Sequence, residues 1–247
     1  MGKTSAEWRD TQHLTFYDAT TQERTAPFYP VVFYDDFLSS SLVIPAAGAA
    51  ESGMPWTKKI VAAAGAAAVA GIGDAAGGVI QCELDNTVET QDAALYFNDE
   101  RNFDLTKGCV FEARVKVNVI PTLTSETVVG LVGDYAAGPD NITYSCFFTH
   151  DGSGEAFCEM DDNATDRSAT SGVTVLNTAW HIYRIDATNV ADVKYYIDGV
   201  GVATGTTFSY AATGANAILQ PYIGLYKNGG AGLGELQVDY VRIWQTR

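Results

Sequence analysis

An all-β fold, two antiparallel sheets packed face to face, is what this sequence predicts, and three observations carry it. From Val31 onward, short apolar runs recur with turn residues between them roughly every 8 to 12 positions. Several runs alternate apolar and polar side chains with the period of two that a strand with one buried and one wet face requires. No stretch sustains the 3.6-residue spacing of an amphipathic helix. The length of 247 residues lies in the range of roughly 200 to 250 at which β-sandwiches still form one domain. The expected organisation is a single sandwich over residues 31–247, preceded by a segment of different character over residues 1–30.

Composition narrows the partners. Hydrophobic residues make up 47% and charged residues 18% of the chain, too apolar for a disordered segment and too interrupted by polar residues for a membrane protein. Thirty acidic against fifteen basic residues give a net charge of −15. A field of that sign repels a polyanion, so nucleic acid is not an expected partner. Glu7, Trp8, Arg9 and Asp10 stand where a signal peptide needs its apolar stretch, and the expectation is synthesis in a cytoplasm without a signal peptide.

Taken in order, residues 1–30 are rich in Thr and Gln and follow neither period, which predicts an extended arm. Its aromatic pairs, Phe16 with Tyr17 and Phe28 with Tyr29, are candidates for covering an apolar surface on a partner. The run from Ile60 to Ile80 has the length of a membrane span, but it is built of Ala and Gly and holds Asp74. Two short strands joined by a turn at 73–78 are the better reading, and no membrane partner is expected. Phe111, Ala113, Val115, Val117 and Val119 alternate with Glu112, Arg114, Lys116 and Asn118 as one long strand. A hairpin is predicted about residues 151–154, with Cys146 facing Cys158 across it, both as reduced core thiols. Asp198-Gly199 signals a type I′ hairpin after Val193 to Ile197. In the last strand the apolar set slips by one at Asp239-Tyr240, which predicts a β-bulge in a strand locked inside a sheet.

The search for chemistry returns little. Glu155, Glu159 and Asp161 would share a strand face with Phe157. Glu159-Met160-Asp161 superficially resembles the Glu-x-Asp-x-Glu core of family 16 glucanases, but Asn163 and Ala164 stand where the third acid would fall, so no catalytic residue is assigned. Glu159, Asp161 and Asp162 with Asp134 or Asp140 offer hard oxygen ligands for calcium, without the spacing of a known loop; no metal is assigned. His13, His150 and His181 lie far apart, and no phosphate-binding or dinucleotide fingerprint is present, so no cofactor is expected.

FEARVKV at 111–117, VKYYIDGVGVATG at 193–205 and LQVDYVRIW at 236–244 resemble the concanavalin A-like lectin/glucanase sandwich, most closely its laminin G-type branch. That resemblance implies an antiparallel jelly-roll and leaves function open, since lectins, glycosidases, lyases and adhesive modules share it. VFYDDFL at 32–38, with VDYVRIW at 238–244, is also similar to small structural proteins of tailed bacteriophages. The first expectation is therefore a non-enzymatic capsid decoration protein on the virion surface, a homo-oligomer held to the major capsid protein or other virion proteins by the arm. The second is a carbohydrate-binding module or adhesin that meets surface glycans through Tyr135, Tyr222 and Tyr226. A glycan hydrolase or lyase built around Glu159 is the third.

Overall fold

The computed structural model describes residues 31–38, 44–46, 55–73, 75, 77–120, 125–150, 152, 154–175 and 179–247, together with the backbone pairing of three leading strands. Those are β1 (Thr4–Arg9), β2 (His13–Asp18) and β3 (Arg24–Thr25), an antiparallel sheet of their own. Of the four aromatic residues expected to anchor the arm, Phe16 and Tyr17 fall on β2, while Phe28 and Tyr29 lie outside the described residues.

Sixteen further strands follow. The first eight are β4 (Val31–Asp35), β5 (Thr57–Val61), β6 (Ala68–Gly71), β7 (Ile80–Leu84), β8 (Thr90–Tyr96), β9 (Phe103–Asp104), β10 (Cys109–Val119) and β11 (Ser125–Val132). The rest are β12 (Tyr144–His150), β13 (Glu155–Asp162), β14 (Asp166–Thr174), β15 (His181–Ala187), β16 (Lys194–Ile197), β17 (Val200–Val202), β18 (Ile218–Asn228) and β19 (Gly234–Gln245). One sheet runs β17-β16-β15-β10-β19-β7-β6 with β4 also on β19, and the other β14-β13-β12-β11-β18-β8-β5 with β9 on β18.

The alternation read from the sequence decides which faces meet. Phe111, Ala113, Val115 and Val117 of β10 point into the space between the sheets, where they meet Val129 and Leu131 of β11, Phe148 of β12 and Ile223 and Leu225 of β18. Each large side chain so buried stabilises the sandwich by roughly 1.5 to 3 kcal/mol. Trp56 is fully buried in the same core, edge-on to Phe97 at 4.9 Å, and its indole N–H donates to Asp35 at 2.8 Å. That bond ties the first sandwich strand into the core.

Local signals land where the sequence put them. β6 and β7 pair as a hairpin about the turn region expected at 73–78, although the second strand begins only at Ile80, where the 60–80 run ends, and no helix among the described residues is long and apolar enough to cross a membrane. Asp198 (φ 51°) and Gly199 (φ 76°) both adopt the left-handed backbone that the two-residue turn between β16 and β17 needs. On β19 the partner of Arg114 is Tyr240 and that of Val115 is Val238, so Asp239 is the extra residue of a β-bulge. The bulge divides β19 into a half that pairs with β7 and a half that pairs with β4.

One pairing is corrected. Cys146 faces Met160, and Cys158 faces Phe148, because the β12–β13 hairpin is centred one residue later than expected. The four cysteines are buried free thiols, and burial pushes the Cys158 thiol up to about 12.

Gly224 lies where β18 passes β8 with no room for a side chain: a Cβ there would sit 2.3 Å from that of Ala94 and 2.6 Å from the Ala93 carbonyl oxygen. Gly224→Ala is expected to cost about 1 to 3 kcal/mol in urea unfolding. Gly71→Ala, whose nearest contact would be an ordinary 3.8 Å, is expected to cost less than about 0.5 kcal/mol.

Candidate functional site

The outer face of the second sheet carries the site. Cross-strand register lines up Ser168, Glu159, Phe147, Gly130, Tyr222 and Tyr96 across six strands from β14 to β8. A second line runs Thr170, Phe157, Thr149, Val128, Gly224 and Ala94. On β13 the expected alternation holds: Ala156, Cys158 and Met160 are buried in the core, so Glu155, Phe157, Glu159 and Asp161 face outward. The segment between β11 and β12 folds over the middle of this face. Its Tyr135, Ala136 and Ile142 pack on Tyr96, Val128, Val132, Phe147 and Tyr222.

What remains uncovered is a cleft of about 260 Å³ over β11 to β14. Its floor is Phe147, Thr149 and Phe157, and three carboxylates reach it from three elements: Glu126 from β11, Glu159 from β13 and Asp140 from the 3-10 turn Pro139–Asn141. Asp140 and Glu159 also share the adjoining hollow with Asp161 and Asp166. Crowding of negative charge acts on the protonation of Glu159. Burial first, then the charges of Asp140, Asp166 and Glu126, push its carboxyl up to about 7, against one hydrogen bond from the Ser168 hydroxyl at 3.2 Å that favours the anion. Glu126 is likewise raised, by burial and by Asp140. No lysine or arginine occurs between Lys116 and Arg167, and Arg167 donates to the Ser209 carbonyl at 3.1 Å. His150, at the end of the cleft, bonds Thr127 through Nδ1 and Tyr183 through Nε2 at 2.9 Å, which makes it a packing residue rather than a base.

The other expected residues separate. Asp162 turns away from the cleft, its carboxylate accepting from the backbone N–H groups of Ala164, Thr165 and Ala211. Asp134 pairs with Arg101 at 3.2 Å. Of the oxygen set considered for calcium, Asp162 and Asp134 are thus engaged elsewhere while Asp140, Glu159 and Asp161 line one hollow, and no group of three or more His, Cys, Asp or Glu placed to hold a metal ion occurs among the described residues. Tyr135, Tyr222 and Tyr226 do share the outer face, but Tyr222 is 3% exposed and its ring is covered by Tyr135, stacked at 6.3 Å. Both hydroxyls donate to Asp92, at 3.0 Å from Tyr222 and 2.9 Å from Tyr135. Tyr222 is therefore corrected from a glycan contact to a packing residue; Tyr226 stays half-buried beside Glu126, its register partner. Asp140 does stand near Glu159, as the oxygen set considered for calcium placed it, whereas Glu126 was missed, because nothing in the chain order shows that β11 folds beside this part of β13.

No protein-family model matches the chain, and no curated protein matches it. Solved structures do. A β-1,3-glucanase from Mycobacterium marinum aligns over 87% of this chain and 98% of its own with TM-score 0.54 and 16% identity. A glycosyl hydrolase family protein from Mycobacterium fortuitum aligns over 87% and 99% with TM-score 0.51 and 16% identity. An endo-β-1,4-glucuronan lyase from the fungus Trichoderma reesei aligns over 87% and 95% with TM-score 0.53 and 13% identity. At such identities the likeness shows the fold, a jelly-roll-like sandwich of the concanavalin A type. The expectation of a non-enzymatic virion protein anchored by Phe16, Tyr17, Phe28 and Tyr29 is corrected by these neighbours, which process glycans.

Proposed function

We propose that this protein hydrolyses a glycosidic bond in an uncharged glycan, with Glu159 as the proton donor. The observation that carries the reading is the convergence of Glu159, Asp140 and Glu126 on one cleft, where burial and the neighbouring charges of Asp140, Asp166 and Glu126 push the Glu159 carboxyl up to about 7. Glycoside hydrolysis needs one carboxyl that still holds its proton and a second that is ionised. Glu159 gives its proton to the bridging oxygen as the bond from that oxygen to the anomeric carbon breaks. Positive charge that develops on the sugar ring meets the anionic wall formed with Asp140, the cleft acid that shares both hollows with Glu159. Water supplies the oxygen for the anomeric carbon, and its proton passes to a carboxylate, restoring the site. Phe147 and Phe157 on the floor offer ring faces for a sugar, with the Thr149 and Ser168 hydroxyls nearby for its polar edge.

Charge selects the substrate class. A cleft of carboxylates with no lysine or arginine among its lining residues, and with His150 engaged by Thr127 and Tyr183, repels a polyuronate, and abstraction of a proton beside a uronate carboxylate would need a cation or a neutral donor to hold that group. Reducing-end release is therefore expected from neutral glucans or neutral host glycans, and none from polyglucuronate or alginate. Cleavage of the polyuronates alone, with an unsaturated product, would replace this reading with elimination.

A further inference from the structure

Asp140 is the one cleft carboxylate that does not stand on a strand, and what holds it there is a set of bonds on the far side of the same face. The 133–143 segment is fastened at its base by the Gly133 N–H to the Tyr144 carbonyl at 2.7 Å and by the Gln220 side-chain amide to the Gly133 carbonyl at 2.8 Å. Tyr135 then crosses to β8. Its backbone N–H donates to Asp99 at 2.7 Å, its hydroxyl to the buried Asp92 at 2.9 Å, and Lys59 of β5 lies over its ring at 4.1 Å. Gly138 (φ 88°) turns the chain where a Cβ would come within 3.4 Å of the Tyr226 ring, and the 3-10 turn carrying Asp140 follows immediately.

We infer that Tyr135 is a positioning residue, a strut whose hydroxyl on Asp92 fixes the 133–143 segment so that Asp140 faces Glu159 across the cleft. This role rests on the proposed reading only in that Glu159 is the proton donor; the placement itself is geometric. Breaking the strut lets the segment move, and the Asp140 charge moves with it. The other groups facing Glu159 stand on strands and stay: Glu126 on β11, Asp161 on β13, and Asp166 and Ser168 on β14. Around the strut itself, Tyr96 and Asp92 of β8, Tyr222 and Tyr226 of β18 and Lys59 of β5 remain in place when only the hydroxyl is removed.

The test is the titration of Glu159 by carbon NMR in the full chain labelled at the glutamate carboxyls, with the Glu159 signal assigned by its loss in Glu159→Gln. In the wild type the midpoint is expected at about 7. Asp140→Asn is expected to lower it, Tyr135→Phe to lower it by at least half as much, and Tyr135→Phe on the Asp140→Asn background to add nothing. Asp92→Asn, which weakens the same strut from its other end, is expected to behave like Tyr135→Phe and serves if that variant does not fold. A wild-type midpoint in folded Tyr135→Phe and Asp92→Asn, or in Asp140→Asn, overturns the role. Because the titration uses no substrate, it can succeed when no glycan is cleaved, and glycan cleavage can be found when it fails.

Discussion

Glu159→Gln is expected to lower turnover of a cleaved glycan by about 10²- to 10⁴-fold, the contribution of a positioned acid or base. Glutamine keeps the shape of the side chain and an oxygen for the Ser168 hydroxyl, so the fold and the floor of Phe147 and Phe157 are preserved. What is lost is the proton for the leaving oxygen. The loss should fall on kcat, with KM nearly unchanged, since the ring contacts act on bound substrate and transition state alike. Substrates whose leaving group departs without protonation should be spared most of the effect.

The same carboxyl should govern pH dependence in two ways. Activity is expected to fall as pH rises through about 7, because Glu159 then loses the proton it must donate. Stability responds with the opposite preference to that of a salt-bridged acid. The native carboxyl titrates at about 7 against an ordinary 4.5, so between those values the folded state binds a proton that the unfolded chain has released. Stability therefore falls as pH rises across that window and stays lowered above it. Glu159→Gln removes the cost. The variant should be more stable than the wild type at pH 8 by about 1 to 3 kcal/mol after allowance for solvent screening, and so unfold at a higher temperature, and should match it at pH 4. A residue that destabilises the resting protein while serving its chemistry fits the trade between stability and activity at functional sites.

The fold was legible because its signals are local. The period-two run at 111–119, the turn at Asp198-Gly199 and the slipped alternation at Asp239 each act within a few residues, and the structure returns each in place except that Val119, at the end of its strand, is exposed rather than buried. So does the outward face of Glu155, Phe157, Glu159 and Asp161. The site was half legible. Glu159 could be singled out from its strand and Asp140 set beside it from a neighbouring loop, but Glu126 comes from β11, brought near only by the order in which the second sheet is laid down. The cysteine pairing failed for a related reason: one residue in the placement of a hairpin centre moves every cross-strand partner by two. Tyr222 illustrates a different limit. A tyrosine on an outer face looks available to a sugar, and only the segment folded over it shows that it is not.

The most direct measurement of the central claim is to incubate the protein with a neutral oligosaccharide in heavy-oxygen water and weigh the products. Hydrolysis by the Glu159 cleft predicts two fragments, with one heavy oxygen at the newly formed sugar end, and no such fragments with Glu159→Gln. Intact substrate across the neutral glycans, or fragments that carry a double bond and no heavy oxygen, would contradict it.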